Sequence, residues 1–200
     1  MAFGLVLVSC GNANSDPAKG MVENTGPWSL DNDGSYVNYT TIKAGSIAEP
    51  NTFTSLTGSV SEDGTAEVTI ILDSIHTNID TRDVRMREFL FKTDQHTYAV
   101  ITSQIDMAGL SGLEVGARAV QSIEINVALA GASNVYDADV FVTRAGPNTV
   151  SVETRAPILV KPDDFGVQAD IDYLQELAGL PSITPVVPVN FSLLFEAFDA

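Results

Sequence analysis

The chain has 200 residues, enough for one ordinary domain and too few for two of typical size. It carries 26 acidic side chains against 10 basic ones, a formal charge of −16, which argues against nucleic acid as a partner because neutralising phosphates needs surplus Lys and Arg. Yet 44% of residues are apolar, so this is not a disordered acidic tail, and the lone cysteine excludes an intrachain disulfide or a cysteine-rich zinc site.

The chain opens on an apolar run from Met1 to Val8, then Ser9, Cys10 and a polar stretch. The run is far below the ~20 residues a membrane-spanning helix needs, and it has the length of the apolar part of a secretory signal. Leu7-Val8-Ser9-Cys10 resembles the bacterial lipobox: a branched apolar residue, a small residue before the cut, then the cysteine that takes the lipid. No Lys or Arg precedes the run, which implies either an upstream start or a poor signal. Residues 1–9 are thus read as a signal-peptide remnant, 10–27 as a flexible linker lipidated at Cys10, and 28–200 as one domain. The alternative is an apolar N-terminus with an incidental cysteine.

From Trp28 onward the dominant signal is period two. Ala66, Val68, Ile70 and Leu72 alternate with Glu67, Thr69, Ile71 and Asp73. Ile123, Ile125, Val127 and Leu129 do the same, as do Ala138, Val140 and Val142, and Val187, Val189, Phe191, Leu193 and Phe195. Further strands are expected over 36–43, 53–60, 98–105 and 149–160. Turn signals fall at Asp31-Asn32-Asp33-Gly34, Glu62-Asp63-Gly64 and Gly146-Pro147-Asn148. About eight half-buried strands in one domain define an antiparallel barrel or a sandwich. Two short helices interrupt them. One is capped near Asp80 and runs to about Leu90, with Ile79, Met86, Phe89 and Leu90 on one side. The other is capped by Asp170, spans 171–178 with Ile171, Leu174 and Leu177 as its stripe, and stops at Gly179 and Pro181.

Signals for chemistry are few. His76 and His96 stand in no metal-ligand spacing, although Asp73 and Asp80 lie near His76. A nucleophile elbow, a phosphate loop and a dinucleotide fingerprint are all missing from the sequence. Asp31-Asn32-Asp33-Gly34 starts like a calcium loop, but Ile42 stands where the twelfth-position Glu belongs. Arg82, Arg85, Arg87 and Lys92 crowd one stretch with Asp83 and Glu88, and local ion pairing is the default account. The minority reading places some of them against a polar ligand head at a barrel mouth.

Several stretches together resemble the YceI-like domain family. Trp28-Ser29-Leu30-Asp31 with Ser35 to Tyr39 is similar to its opening strand. Ile70 to Leu72, then Asp73-Ser74-Ile75, Thr77 and Arg82-Asp83, resembles its central signature. Ala156 to Val160, Asp164-Phe165-Gly166, Leu174 to Leu180 and Val186 to Phe191 resemble its later strand, loop, short helix and last strand. The chain departs from the pattern at Arg85-Met86, where many members have His-Leu, and at His96-Thr97, where Tyr-Pro is common.

The resemblance implies an all-β, eight-stranded antiparallel, lipocalin-like barrel that encloses a long isoprenoid lipid of quinone or polyprenyl type in the bacterial periplasm. A lipidated Cys10 would tether such a barrel to the outer membrane. Under this reading Ile70, Leu72, Ile125, Val127, Val140, Val142, Val189, Phe191 and Leu193 line the tube, with no cofactor or metal beyond the bound lipid and no catalysis. The alternatives are a solid, packed barrel acting as a structural lipoprotein, and an enzyme on an apolar substrate with a histidine base.

Overall fold

A computed structural model gives the structure of residues 27–197. Cys10, the apolar run and nearly all of the expected linker lie outside these described residues. The strands in chain order are β1 (Trp28–Lys43), β2 (Ile47–Phe53), β3 (Leu56–Val60), β4 (Thr65–Ile71), β5 (Ile75–His76), β6 (Tyr98–Gln104), β7 (Arg118–Leu129), β8 (Ala132–Gly146), β9 (Thr149–Thr154), β10 (Ile158–Val160) and β11 (Val187–Ala197).

These eleven strands make eight staves. β2 pairs with Val37–Lys43 and β3 with Trp28 and Ser29, on the same edge of β1, so they are two halves of one bent stave. β4 and β5 lie against β3 and β2 respectively, and β9 and β10 against the two halves of β11. All pairings are antiparallel, and β11 returns to β1 over Trp28–Tyr39, which closes the ring. The expected eight-stranded barrel is the fold. Closure leaves few free sheet edges, which is how small β domains avoid edge-to-edge association.

The alternation read from sequence sets the two faces. Val68, Ile70, Ile123, Ile125, Val142, Leu193 and Phe195 are buried, whereas Glu67, Glu124 and Asp139 between them are exposed. Three details of the expected strands are corrected, the first being 53–60, where β2 ends at Phe53 and a separate strand, β3, begins at Leu56. Leu72 and Asp73 leave the ladder and form a single 3₁₀ turn, Leu72–Ser74, which joins β4 to β5. The segment 149–160 is broken at Arg155 to Pro157, because Pro157 cannot donate to a ladder.

Asp31-Asn32-Asp33-Gly34 is not a turn between strands but a bulge inside β1, where the register to β11 shifts between Asp31 and Tyr36. Its polar side chains are spent on stitching. Asn32 accepts from the Leu56 amide at 2.7 Å, and the Ser35 hydroxyl accepts from the Leu194 amide at 2.9 Å. Gly34 is required there because a Cβ would press on the Leu194 side chain. Glu62-Asp63-Gly64 does turn the chain between β3 and β4, with Gly64 at φ +85° and its Cα against the Ile105 carbonyl. The two-residue hairpin Ala130-Gly131 between β7 and β8 has both residues at positive φ, the geometry of a type I′ turn.

The helices close the ends. α1 (Asp80–Arg85) begins after Ile79 with no side-chain cap, and not at an Asp80 cap. It widens into π-helical turns over Met86–Phe91, which bury Met86, Leu90 and Phe91 together, while Ile79 stays exposed. A short helix, α2 (Met107–Leu110), capped by Asp106, sits near the opposite end. α3 (Gln168–Leu177) starts three residues before the expected position, so Asp170 lies within its first turn. That carboxylate binds Lys92 Nζ at 2.8 and 3.0 Å, and Tyr173 meets Phe89 edge-on at 5.2 Å. Ile171 and Leu174 pack inward, whereas Leu177 faces out.

The wall has a seam beside β8. β8 pairs with β9 from Val140 onward, but among the described residues no ladder pair joins 132–138 of β8 to β10, which pairs with β11 alone. The Tyr136 hydroxyl crosses this seam to donate to Asp164 Oδ2 at 2.9 Å, with its ring 6.4 Å from that of Phe165. Burial pushes the Tyr136 phenol up to about 12, so it remains a donor.

Candidate functional site

The inward faces of the staves do not meet. They enclose a cavity of about 330 Å³ that extends from Trp28, Val60 and Met107 at one end to Tyr39, Leu90 and Ile171 at the other. This falls at the lower end of the range of small-molecule sites. Its wall is mostly aliphatic and aromatic side chains, with Thr41, Ser103, Ser111 and Arg144 among them, so it offers few directional contacts and suits a hydrocarbon chain. Burying each CH₂ there contributes ~0.8 kcal/mol of gross driving force.

The expected tube-lining residues fall as follows. Ile70, Leu72, Ile125, Val127, Val142, Val189, Phe191 and Leu193 all line the cavity, although they come from five segments of the chain. Val140 is fully buried but packs with Ile123, Ile125 and Val142 in a small cluster, and it is not part of the cavity wall. His76 and His96 also lie outside that wall. His76 is exposed, with Nδ1 3.8 Å from Asp83 Oδ2, and no group of His, Cys, Asp or Glu among the described residues has the spacing of a metal site.

Arg82, Arg87 and Lys92 of the basic stretch pair across the fold and not along their own helix. Arg82 Nη1 binds Glu49 Oε2 on β2, Arg87 reaches the Asp73 carboxylate at 3.6 Å, and Lys92 binds Asp170. Glu49 also receives Lys43 Nζ at 2.8 Å, and these cationic donors hold its carboxyl below the usual carboxylate range. Stability drawn from that contact is present above the unfolded carboxylate pKa and is lost as pH falls through the lowered folded value. Asp83 is 5% exposed, and its Oδ1 accepts from both the Thr77 amide at 2.9 Å and the Thr77 hydroxyl. Arg82 Nη2 completes the knot by donating to the Thr77 carbonyl at 2.5 Å. The Arg82-Asp83 pair therefore fastens the loop after β5 beneath β2.

Tyr39 and Arg144 are among the wall residues outside the expected set. Both were legible by parity: Tyr39 shares a face with Val37, and Arg144 continues the face of Val140 and Val142. The Arg144 guanidinium donates to the carbonyls of Leu113 at 3.1 Å and Pro147 at 3.0 Å, tying the loop after α2 over its end of the cavity. At the other end Tyr39, Phe53 and Phe91 pack in series, each ring 5.6 Å from the next, the first pair tilted and the second edge-on.

A closed eight-stave antiparallel barrel around a mostly apolar void defines the lipocalin-like class of barrel fold. Within that class, residues 28–195 match the family model of the YceI-like domain, and the chain belongs to that family. It is similar to the solved structure of a polyisoprenoid binding domain from Saccharophagus degradans implicated in plant cell wall breakdown. The identity is 34%, covering 86% of this chain and 98% of that one, with a TM-score of 0.83. BcnA of Burkholderia cenocepacia shares the fold at 15% identity over 82% of this chain and 98% of its own, with a TM-score of 0.64. The YCEI protein of Campylobacter jejuni shares it at 13% identity, 74% and 85% coverage, and a TM-score of 0.55. A comparison with the curated proteins finds no match.

Proposed function

We propose that the protein binds a long isoprenoid lipid, of quinone or polyprenyl type, with its tail enclosed in the barrel, and that it stores or carries that lipid without making or breaking bonds. The observation that carries this reading is the mostly apolar void inside the barrel, in a chain similar to a polyisoprenoid binding domain. Sequestration needs only tail burial, and selection follows from the length and width of the tube. Native mass spectrometry of protein expressed in a bacterial host and gently purified is expected to show the chain with one lipid of isoprenoid mass. Recovery of no lipid, together with no uptake of added quinone, would overturn the reading.

The proposal extends to placement. Cys10 is the lipid-attachment residue of a periplasmic lipoprotein held at the outer membrane, where the membrane supplies or receives the ligand. Stable anchoring needs more than one acyl chain, as bacterial lipoproteins generally carry. Radiolabelled palmitate is expected to enter the wild type and not Cys10→Ala in a bacterial host, and equal labelling would remove Cys10 from this role.

A further inference from the structure

The polar groups that line the cavity differ in what they are bonded to. The Ser103 hydroxyl donates to the Glu124 carbonyl and the Ser111 hydroxyl to the Ala108 carbonyl, both at 2.8 Å. Thr41 Oγ1 accepts from Asn51 Nδ2 at 3.1 Å, Tyr136 donates to Asp164, and Arg144 donates to backbone carbonyls. Tyr39 is the exception within this set. It is 8% exposed, and the acceptor found for its hydroxyl among the described residues is the thioether of Met86 at 4.0 Å. Thioether sulfur is a weak acceptor, so this phenol has been taken from water without an oxygen or nitrogen partner in return. Met86 itself lines the cavity, which places the hydroxyl between two wall residues at the end covered by α1 and the π-helical turns. Burial raises the phenol above its ordinary value, so it stays protonated and can donate throughout the neutral range.

We propose that the Tyr39 hydroxyl is the donor that binds a carbonyl oxygen on the head of the ligand, so that the cavity reads an oxygen-bearing head as well as a tail. This rests on the isoprenoid-binding reading above and deepens it. The head would lie at the Tyr39 end, against the rings of Phe53 and Phe91, and the tail would run toward Met107. A quinone carbonyl fits this donor, since it is an acceptor with no proton of its own to satisfy, and an all-hydrocarbon isoprenoid leaves the donor unmet.

The test compares wild type with Tyr39→Phe in the full chain, using a two-isoprene benzoquinone and squalene as probes. Tyr39→Phe is expected to weaken benzoquinone binding about fivefold, the size of one neutral hydrogen bond, and to leave squalene binding unchanged. Infrared difference spectra of the bound benzoquinone should show its carbonyl band at lower wavenumber in wild type than in Tyr39→Phe, a signature that packing alone does not produce. Unchanged benzoquinone affinity and an unmoved band would overturn the proposal, as would equal losses for both probes. If wild type takes up neither probe, the isoprenoid reading fails along with it, whereas uptake without a Tyr39 effect removes the head contact alone.

Discussion

Replacing Val127 with tryptophan is expected to cut retained isoprenoid lipid at least tenfold while leaving the barrel folded. Val127 lies on β7 opposite Ile101 of β6 and faces the void, where the cavity runs between staves. Inserting bulk into a packed core normally costs about 1–3 kcal/mol through displaced neighbours. Here the indole enters existing free space, so the lipid-free unfolding midpoint should move little. A tail threading the tube would collide with that ring. Native mass spectrometry and thermal unfolding of the same sample separate the two effects. Lipid retention equal to wild type would show that the tail does not pass Val127.

The second large effect concerns the fold. Asp83→Ala is expected to lower unfolding free energy by about 3 kcal/mol in urea titrations, because the buried amide and hydroxyl of Thr77 both lose a charged acceptor. Asp83→Asn keeps an acceptor oxygen and should lose less. Asp73, whose side chain is mostly solvent-exposed beside Arg87, is the contrast: Asp73→Ala should stay within about 0.5 kcal/mol of wild type. A small loss for Asp83→Ala would mean that the loop after β5 is held by Arg82 and packing instead.

Strand content and facing were legible because a half-buried strand writes its two environments into alternate residues, as in Ile123 to Leu129. The bends were not. Whether 53–60 is one strand or two depends on β1 offering its upper part to β2 and its lower part to β3, which no local pattern encodes. Asp31 to Gly34 carries strong turn chemistry, yet the chain continues through it because Asn32 and Ser35 find partners on β3 and β11. The Lys92–Asp170 pair joins residues 78 apart, so short-range charge pairing could not find it. Wall membership followed parity, and Val140 shows its limit: it shares the inward face of β8 with Val142, yet its side chain is fully buried in packing against Ile123 and Ile125.

The seam between β8 and β10 bears on the girth of the tube. A hoop bonded all the way round has a fixed girth, since widening it anywhere breaks backbone bonds. This hoop can widen along the Ala132–Ala138 stretch of β8 at the cost of the Tyr136–Asp164 bond and the contact with Phe165, with every ladder pair kept. Tyr136 and Ile158 border both the void and a groove on the outer face between β8 and β10, so at the seam the void is walled by side chains and not by a backbone ladder.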